Sequence, residues 1–294
     1  MRSGELASLA ARAVPGNGAL DIHRLGSGLV NDSYRVRRDG RLYVLRVAAA
    51  NSRDLGLDRA WESRVLEIAA AAGLAPIIEY CDPLAGILVA RWAVGRSWTP
   101  QEAQGHDNIL RIGLLARRIQ TLPAPSPART MSPGAWIDHY RDALARRRAV
   151  SKRLPGLQTR ADALLAALTQ FPAVTPALCH SDLHPMNLID RNGSLVALDW
   201  EYCHVSDPLW DLAGWSSNND LGPELRRELL ASYAGQPPAP DDWSRLQVLA
   251  ALYDYICLLW SELYLKQRPD GANEGISARM DLLAARFVKH PVVE

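Results

Sequence analysis

The sequence CHSDLHPMNLIDRNGSLVALDWEY spans residues 179–202 and contains the residues that most restrict the fold of this chain. A short run at Asn187–Asp190 is followed by the dipeptide Asn192-Gly193 and by a second apolar run at Leu195–Leu198. Because Asn-Gly favours the tight turn that joins antiparallel strands, these features predict a β-hairpin. The loop before the hairpin and the end of its second strand are then close together.

Three oxygen-bearing side chains occupy those two ends. Asp182 lies in the loop, Asn187 follows five residues later, and Asp199 follows the second strand. Transfer of a phosphoryl group from Mg·ATP to an alcohol needs one carboxylate at the hydroxyl, and an amide oxygen with a second carboxylate at Mg²⁺. An Asp after a strand also serves as a turn residue or helix cap, so the combination carries more information than any one member.

A metal-hydrolase interpretation is open at the same place. His180, Asp182 and His184 alternate along the chain as metal ligands sometimes do. Pro185 disfavours a helical pair of histidines, and no further group of His or Cys residues in the sequence supplies the missing ligands.

Three motifs in this region carry a resemblance to a known superfamily. They are HxDxxxxN at 180–187, DWEY at 199–202 and DPLWDLA at 207–213. Together they resemble the aminoglycoside phosphotransferase and choline kinase superfamily, and within it the bacterial choline kinases and thiamine kinases. The resemblance extends over residues 25–265. It implies an α+β, bilobal, protein-kinase-like fold.

The resemblance also implies roles for individual residues. Asp182 corresponds to the catalytic Asp, and Asn187 and Asp199 to the Mg²⁺ ligands. Glu201 is a possible supporting acid near the metal, and His180 supports the catalytic loop.

Two further acids belong to the scaffold of this site. Asp207 precedes Pro208 and is expected to cap a helix. Asp211 is expected to accept hydrogen bonds from the backbone of the catalytic loop.

A glycine turn near the N-terminus is the candidate phosphate-binding segment. Gly26, Ser27 and Gly28 resemble the family's phosphate-covering turn, and Asn31 or Ser33 would add side-chain donors. An ordinary hairpin turn is the alternative. The expected strand that follows carries Arg46 where many kinases have Lys; choline kinase relatives often have Arg. We expect Arg46 to bind phosphate and to pair with Glu62 on the next helix.

Aromatic residues near the end of the chain suggest the acceptor side. Tyr202, Trp260 and Glu262 are the pocket candidates, because aromatic faces with a nearby carboxylate suit a cationic ligand. Trp260 also lies in a segment that resembles the helix lining the choline pocket of choline kinases. Packing between core helices would explain the same residues.

The remaining pattern predicts a β-rich N-lobe at residues 1–95, which binds the nucleotide, and a larger, mostly helical C-lobe at residues 96–294. The C-lobe would hold the catalytic loop, the metal site and the acceptor pocket. In the N-lobe, a helix at Asp58–Ala72 interrupts strands expected at Asp21–Leu25, Ser33–Val36, Leu42–Val47, Ile77–Tyr80 and Gly86–Trp92. In the C-lobe, helices are expected at Asn108–Gln120, Trp136–Arg147, Arg160–Gln170, Pro223–Tyr233, Trp243–Lys266 and Ser277–Val288.

Composition argues against several classes of protein. The formal net charge of +1 gives no general attraction to nucleic acid or to an anionic membrane. We expect no segment long and apolar enough to span a bilayer, and so no insertion into a membrane. No signal peptide is expected, because Glu5 and Arg12 interrupt the N-terminal apolar positions. The spacing of the four cysteines fits neither a zinc site nor a disulfide framework, so a cytoplasmic protein with reduced thiols is expected. The oligomeric state stays open.

These observations lead to one functional hypothesis with two alternatives. We expect a kinase that uses ATP and Mg²⁺ to phosphorylate the hydroxyl of a small cationic alcohol, choline or thiamine. An aminoglycoside or sugar kinase of the same superfamily is the first alternative. A non-catalytic nucleotide-binding module that acts through a partner is the second, and the presence of Asp182, Asn187 and Asp199 argues against it.

Overall fold

The computed structural model describes residues 3–27, 30–48, 54–147, 154–267 and 274–290. An antiparallel sheet dominates the N-terminal part and helices dominate the C-terminal part, which confirms the predicted α+β class. The sheet has the strand order β1-β2-β3-β5-β4. Its strands are β1 (Asp21–Ser27), β2 (Asn31–Arg38), β3 (Arg41–Ala48), β4 (Ile78–Asp82) and β5 (Ile87–Arg91).

The helix α1 (Ser3–Ala13) covers one face of this sheet. Its apolar side packs against strand residues such as Val36 and Leu45, forming a small separate core. Arg38 fixes the end of the helix, because its guanidinium donates to the carbonyl oxygens of Ala11 (3.1 Å) and Val14 (2.6 Å). A cation at a helix C-terminus also stabilises the negative end of the helix dipole.

The helix α2 (Arg59–Ala71) lies among the residues of the larger core. Asp58 caps it by accepting a hydrogen bond from the backbone N of Trp61 at 2.9 Å. The indole of Trp61 is fully buried and donates to the carbonyl oxygen of Cys203 at 2.8 Å. Helix α2 is therefore attached directly to the segment that follows the predicted hairpin.

The rest of the described chain consists mainly of helices around one long central helix. They are α3 (His106–Gln120), α4 (Pro133–Arg146), α5 (Pro155–Leu168), α6 (Trp210–Asn218), α7 (Pro223–Ala234), α8 (Pro240–Gln267) and α9 (Glu274–Lys289). Helix α8 contacts α4, α5, α6 and α9, so it forms the centre of the main core. The structure extends the predicted helix at Arg160–Gln170 back to Pro155, because Pro is well suited to the first turn of a helix.

Helix α8 corrects one expectation from the sequence. We expected no segment long and apolar enough to cross a bilayer, but Pro240–Lys266 meets both criteria, with a mean hydropathy of 1.4. The reason is its position in the core: 83% of the apolar window is buried inside the protein. A core helix surrounded by other helices needs apolar residues on all its faces.

The predicted hairpin is present as β7 (Leu188–Asp190) and β8 (Leu195–Ala197). Asn192 and Gly193 both have positive φ, and the backbone N of Arg191 donates to the carbonyl of Ser194 at 2.9 Å. A second pair, β6 (Ala177–Cys179) and β9 (His204–Ser206), encloses the hairpin and was not predicted. Strands of three residues leave too little periodicity to be recognised in a sequence.

The division between residues 95 and 96 stays a prediction. The strands of the sheet end at Arg91, and Arg96 forms an isolated bridge with Asp190 of the hairpin.

The contact between α3 and α7 depends on Gly113. A Cβ atom at this position would lie 2.8 Å from the backbone N of Tyr233, which cannot rotate away. We expect Gly113→Ala to lower the free energy of unfolding by about 2 kcal/mol, as overpacking of a core does. Urea denaturation followed by circular dichroism measures the change.

Gly134→Ala is the matched control. Its Cβ would have ordinary contacts at 3.7 Å or longer, so we expect no loss of stability. Equal stability of the two variants would show that α3 and α7 can shift enough to accept the added methyl group with no loss of free energy.

Candidate active site

The catalytic loop is held by the fold itself. Asp211, in the first turn of α6, accepts hydrogen bonds from the backbone N of His180 (2.9 Å) and of Ser181 (2.7 Å). This is the arrangement expected for Asp211. Burial raises the pKa of Asp211 to about 6, and the two backbone donors oppose that shift. Ser181 has a φ of 70°, a left-handed conformation that these bonds stabilise.

His180 is a structural member of this loop. Its ring is fully buried against Trp200, with the ring centroids 4.8 Å apart, and its Nε2 contacts the carbonyl oxygen of Leu198 at 2.9 Å. Burial lowers the pKa of His180 to about 4, so the ring is neutral at physiological pH and Nε2 donates to that carbonyl. The imidazole thereby ties the catalytic loop to the residue before Asp199.

Asp182 and Asn187 are in direct contact. The Asn187 amide nitrogen donates to the Asp182 carboxylate at 2.9 Å and to the Asp182 carbonyl at 3.0 Å. The backbone of Asn187 accepts a hydrogen bond from Leu198 N at 2.8 Å, which brings it beside Asp199. The hairpin therefore brings Asp182 and Asn187 into contact and sets the backbone of Asn187 next to the residue before Asp199, as predicted. Asp182 contacts the amide nitrogen of Asn187 and not its amide oxygen.

Asp199 has an unusual backbone and an unusual charge environment. Its φ of 59° and ψ of 65° are left-handed. Burial raises the pKa of Asp199 well above its usual range, and the negative charge of Glu201 adds to the increase, while Arg46 opposes it. The carboxylates in this part of the site repel one another.

This charge environment fits a divalent cation. A carboxyl group whose pKa is raised by burial and by a neighbouring acid lacks sufficient nearby positive charge, and a bound cation would supply it. The Asn187 amide and Asp199 carboxylate offer the hard oxygen ligands that Mg²⁺ prefers, with phosphate oxygens completing the shell. The residues present therefore fit Mg²⁺ held jointly with a nucleotide.

The alternative metal-hydrolase site has no support in the described residues. They contain no group of three or more His, Cys, Asp and Glu side chains placed to hold a metal ion. His180 is occupied by its carbonyl bond, and His184 Nε2 lies 3.7 Å from Asp182.

Arg46 and Glu62 form the expected ion pair. Arg46 Nη2 donates to Glu62 Oε1 at 2.6 Å, and Arg46 Nη1 donates to Asp199 at 2.9 Å. Glu62 is buried and 12% of the Arg46 side chain is accessible. The attraction of Arg46 and Arg59 lowers the pKa of Glu62 in spite of the burial that would raise it. The pair therefore connects strand β3, helix α2 and the metal-binding candidate.

A second arginine in the site was not expected from the sequence. Arg59 Nη1 donates to Glu62 Oε2 (2.8 Å) and to Glu201 Oε2 (2.7 Å), and Nη2 donates to Asn31 (2.7 Å). A weak signal existed, since a basic residue in the first turn of α2 is disfavoured by the helix dipole and needs a reason to be there.

Asn31 differs from its predicted role. Its amide donates to Glu201 at 2.7 Å and accepts from Arg59, so both ends are occupied by protein. Phosphate binding by Asn31 stays a prediction that this bonding does not favour. Gly26 and Ser27 end strand β1, Ser33 lies opposite Arg46 in the sheet, and their phosphate contacts also stay predictions. Gly28 is outside the described residues.

The acceptor candidates are only partly brought together. Trp260 Nε1 donates to the Tyr202 hydroxyl at 2.7 Å, and Trp260 stacks on Tyr264 with ring centroids 5.2 Å apart. Burial raises the pKa of Tyr202 well above its usual range, and the nearby Tyr140 and Glu201 add to the shift. Glu262 is buried and lies two residues from Trp260, so it faces roughly 200° away around the helix.

Trp136 of α4 also contacts Tyr202, and this contact was not predicted from the sequence. The ring centroid of Trp136 is 6.1 Å from that of Tyr202. The guanidinium of Arg129 lies over the Trp136 ring, 5.3 Å from its centroid. A lone Trp in an amphipathic helix gives no sign in a sequence that distinguishes a pocket wall from core.

Asp207 has a scaffold role, but not as the cap of a helix. Helix α6 begins at Trp210, and Asp207 accepts a hydrogen bond from Leu209 N at 2.9 Å. Its second oxygen pairs with Arg245 Nε of α8 at 2.6 Å. The acid therefore joins α6 to α8 after the catalytic region.

The whole of this region matches one protein family. Residues 21–249, more than half of the chain, match the phosphotransferase enzyme family abbreviated APH. The chain belongs to that family. The resemblance to the aminoglycoside phosphotransferase and choline kinase superfamily is thus confirmed.

Solved structures place this phosphotransferase near choline kinases in fold. A choline/ethanolamine kinase family protein from Mesorhizobium loti is 27% identical, with a TM-score of 0.79, over 98% of this chain and 94% of that one. The choline kinase LicA from Streptococcus pneumoniae is 19% identical, with a TM-score of 0.77, over 97% and 98%. LicA in complex with AMP gives a TM-score of 0.79 at 19% identity, over 98% of each chain. These likenesses confirm the predicted kinase-like fold.

A curated relative matches a shorter stretch. Protein LicA of Haemophilus influenzae is 34% identical over 82 residues, which is 26% of this chain and 31% of that protein. The chain therefore matches less than a third of that relative's length.

His204, which contacts Trp136, leads to a prediction about how stability depends on pH. It is fully buried, with Nδ1 at 2.8 Å from the Tyr202 carbonyl and Nε2 accepting from Trp136, and burial lowers its pKa to about 3. Below its unfolded pKa of about 6.5 the unfolded chain takes up a proton that the folded chain refuses, so stability falls. Over the interval from pH 7 to pH 5, His204 should cost about 2 kcal/mol of unfolding free energy.

Urea unfolding at both pH values tests this. We expect His204→Gln to lose less stability between them than the unsubstituted chain, by roughly that amount. His106→Gln, at the exposed start of α3, is the control. If His204→Gln had the same pH dependence as the unsubstituted chain, His204 would not be the source of the stability loss.

Proposed function

We propose that this phosphotransferase transfers the γ-phosphoryl group of ATP to the hydroxyl of a small cationic alcohol, with choline or thiamine as the leading acceptors. The observation that carries the proposal is the contact of Asp182 with Asn187, whose backbone is bonded to Leu198, the residue before Asp199. The hydrogen-bonded pair of Trp260 and Tyr202 supplies aromatic side chains for a cationic acceptor. Kinship with proteins named as choline and choline/ethanolamine kinases supports the acceptor class, and a relative solved with AMP supports the nucleotide. A cytoplasmic location, where ATP is present, belongs to the same proposal.

Asp182 acts on the acceptor hydroxyl. Its carboxylate is partly exposed, with 29% of the side chain accessible, while the Asn187 amide fixes its orientation. In this position it aligns the hydroxyl and accepts its proton as the oxygen attacks the γ-phosphorus. Holding the reactants in line supplies much of the rate, because little covalent chemistry is asked of the protein.

The remaining residues hold charge. Asn187 and Asp199 would hold Mg²⁺, which neutralises the phosphate oxygens when bound. The two terminal nitrogens of Arg46 are held by Asp199 and Glu62. In this position its positive charge would attract the phosphate groups of the nucleotide. The pair of Tyr202 and Trp260 presents aromatic faces to a cationic acceptor.

A panel of acceptors tests the proposed function. ADP release with Mg·ATP is measured for choline, thiamine, ethanolamine, aminoglycosides and amino sugars. Turnover restricted to a cationic alcohol would support the proposal. Turnover restricted to an aminoglycoside or a sugar would contradict it in favour of the alternative within the superfamily, and Mg·ATP binding without turnover would favour a non-catalytic module.

Asp182→Asn separates chemistry from binding. We expect kcat for the accepted alcohol to fall by about 10²- to 10⁴-fold, the usual contribution of a general base. Binding of Mg·ATP, measured by calorimetry, should persist, because in this proposal Asn187 and Asp199, and not Asp182, hold the metal. Full activity in Asp182→Asn would assign the proton transfer to another group.

Trp260→Leu addresses the acceptor. Loss of one aromatic face should raise the KM for a cationic alcohol by about 5- to 30-fold, which corresponds to roughly 1 to 2 kcal/mol of cation–π attraction. The KM for ATP should not change. Trp243→Leu, near the other end of α8 and under Arg227, is the matched control. Equal effects of the two variants would mean that Trp260 belongs to the core and not to a pocket.

A further inference from the structure

Arg59 is the most heavily bonded side chain of the site that has no role in the proposed chemistry. Its two terminal nitrogens contact Glu62, Glu201 and Asn31 at 2.7–2.8 Å. Only 11% of the Arg59 side chain and 4% of the Glu201 side chain are accessible. A buried arginine with this many charge-assisted bonds holds its partners in one geometry.

The contacts form a closed ring. Arg59 donates to Asn31 and to Glu201, and Asn31 donates to the same Glu201 oxygen at 2.7 Å. The members come from the start of β2, the first turn of α2 and the segment after β8. Glu201 Oε2 is therefore fixed by two donors.

A second connection joins the ring to Asp199. Glu62 receives Arg46 on one oxygen and Arg59 on the other. Arg46 continues to Asp199, and Arg59 continues to Glu201. The two acids that flank Trp200 are thus each held by one arginine, and both arginines are held by Glu62.

We propose that Arg59 is a positioning residue for the metal-bound nucleotide, and that it acts by fixing Glu201, and with it the 199–201 segment, in the orientation that receives Mg·ATP. The inference rests on the proposed function, since it presumes that Mg·ATP binds here. It assigns no chemistry to Arg59 itself. Lysine cannot replace it, because a single ammonium group cannot reproduce the planar fork that reaches three partners.

Arg59→Lys is the primary variant, because it keeps the positive charge and removes only the fork. Calorimetry compares the binding of Mg·ATP with the binding of ATP in the presence of EDTA. We expect Mg·ATP binding to weaken by about ten-fold or more, as when a residue that orients a metal ligand is lost, and metal-free ATP binding to change by less than about two-fold. Arg37→Lys, an exposed arginine on β2, is the control.

Glu201→Gln shows whether Arg59 acts through Glu201. In the Glu201→Gln background, Arg59→Lys should have little further effect on Mg·ATP binding, because its target is already altered. Thermal unfolding of each variant checks that it is folded.

Three outcomes would overturn the inference. Mg·ATP and metal-free ATP could weaken equally in Arg59→Lys, which would indicate a general structural role. The loss could be the same with and without Glu201→Gln, which would separate Arg59 from Glu201. The Arg37→Lys control could match Arg59→Lys. Failure of the unsubstituted chain to bind Mg·ATP would instead remove the proposed function, and this role with it.

Discussion

The rest of the site depends on the ion pairs that Glu62 forms with Arg46 and Arg59. The Glu62 carboxylate is almost fully buried, and a charge in that position is tolerated only when it is paired. Each oxygen takes one arginine, and each arginine extends to one acid of the 199–201 segment. Removing one partner of such a network leaves other charges buried without compensation, at a cost of about 3–5 kcal/mol. The network therefore ties the sheet, helix α2 and the metal-binding candidate into one arrangement.

The loop at His180–Asp182 and the turn at Asp199 are shaped by hydrogen bonds within the protein. Ser181 and Asp199 both adopt left-handed backbone conformations, which residues other than glycine enter at a cost of about 1–3 kcal/mol. Asp211 and the carbonyl of Leu198, which His180 contacts, compensate for it on either side. The strained backbone at Ser181 and Asp199 is therefore held in place by groups of the protein itself.

Much of the site was readable from the sequence because it is built from local pattern. The Asn-Gly turn fixed how Asp182, Asn187 and Asp199 approach one another, and the structure brings them together. Features that depend on distant parts of the chain were not readable. Arg59 meets Glu201 across 142 residues, and β6 meets β9 around the whole hairpin. Asn31 looked like a phosphate donor because of its neighbours in sequence, and only the folded chain shows that Glu201 occupies its amide. Glu262 shared a short segment with Trp260, but the turn of the helix separates them.

The two cores of the described chain do not divide where the sequence changes character. Helix α1 and one face of the sheet form a small cluster of their own, whereas Trp61 and Val65 of α2 belong to the same core as the C-terminal helices. A protein opens locally in units that share buried contacts. The boundary between such units here runs through the sheet, between its two faces, and not across the link after Arg91. Amide hydrogens of α2 would then exchange with solvent together with those of the helical part, while α1 exchanges earlier, so that the outer layer loosens and leaves the network around Glu62 closed.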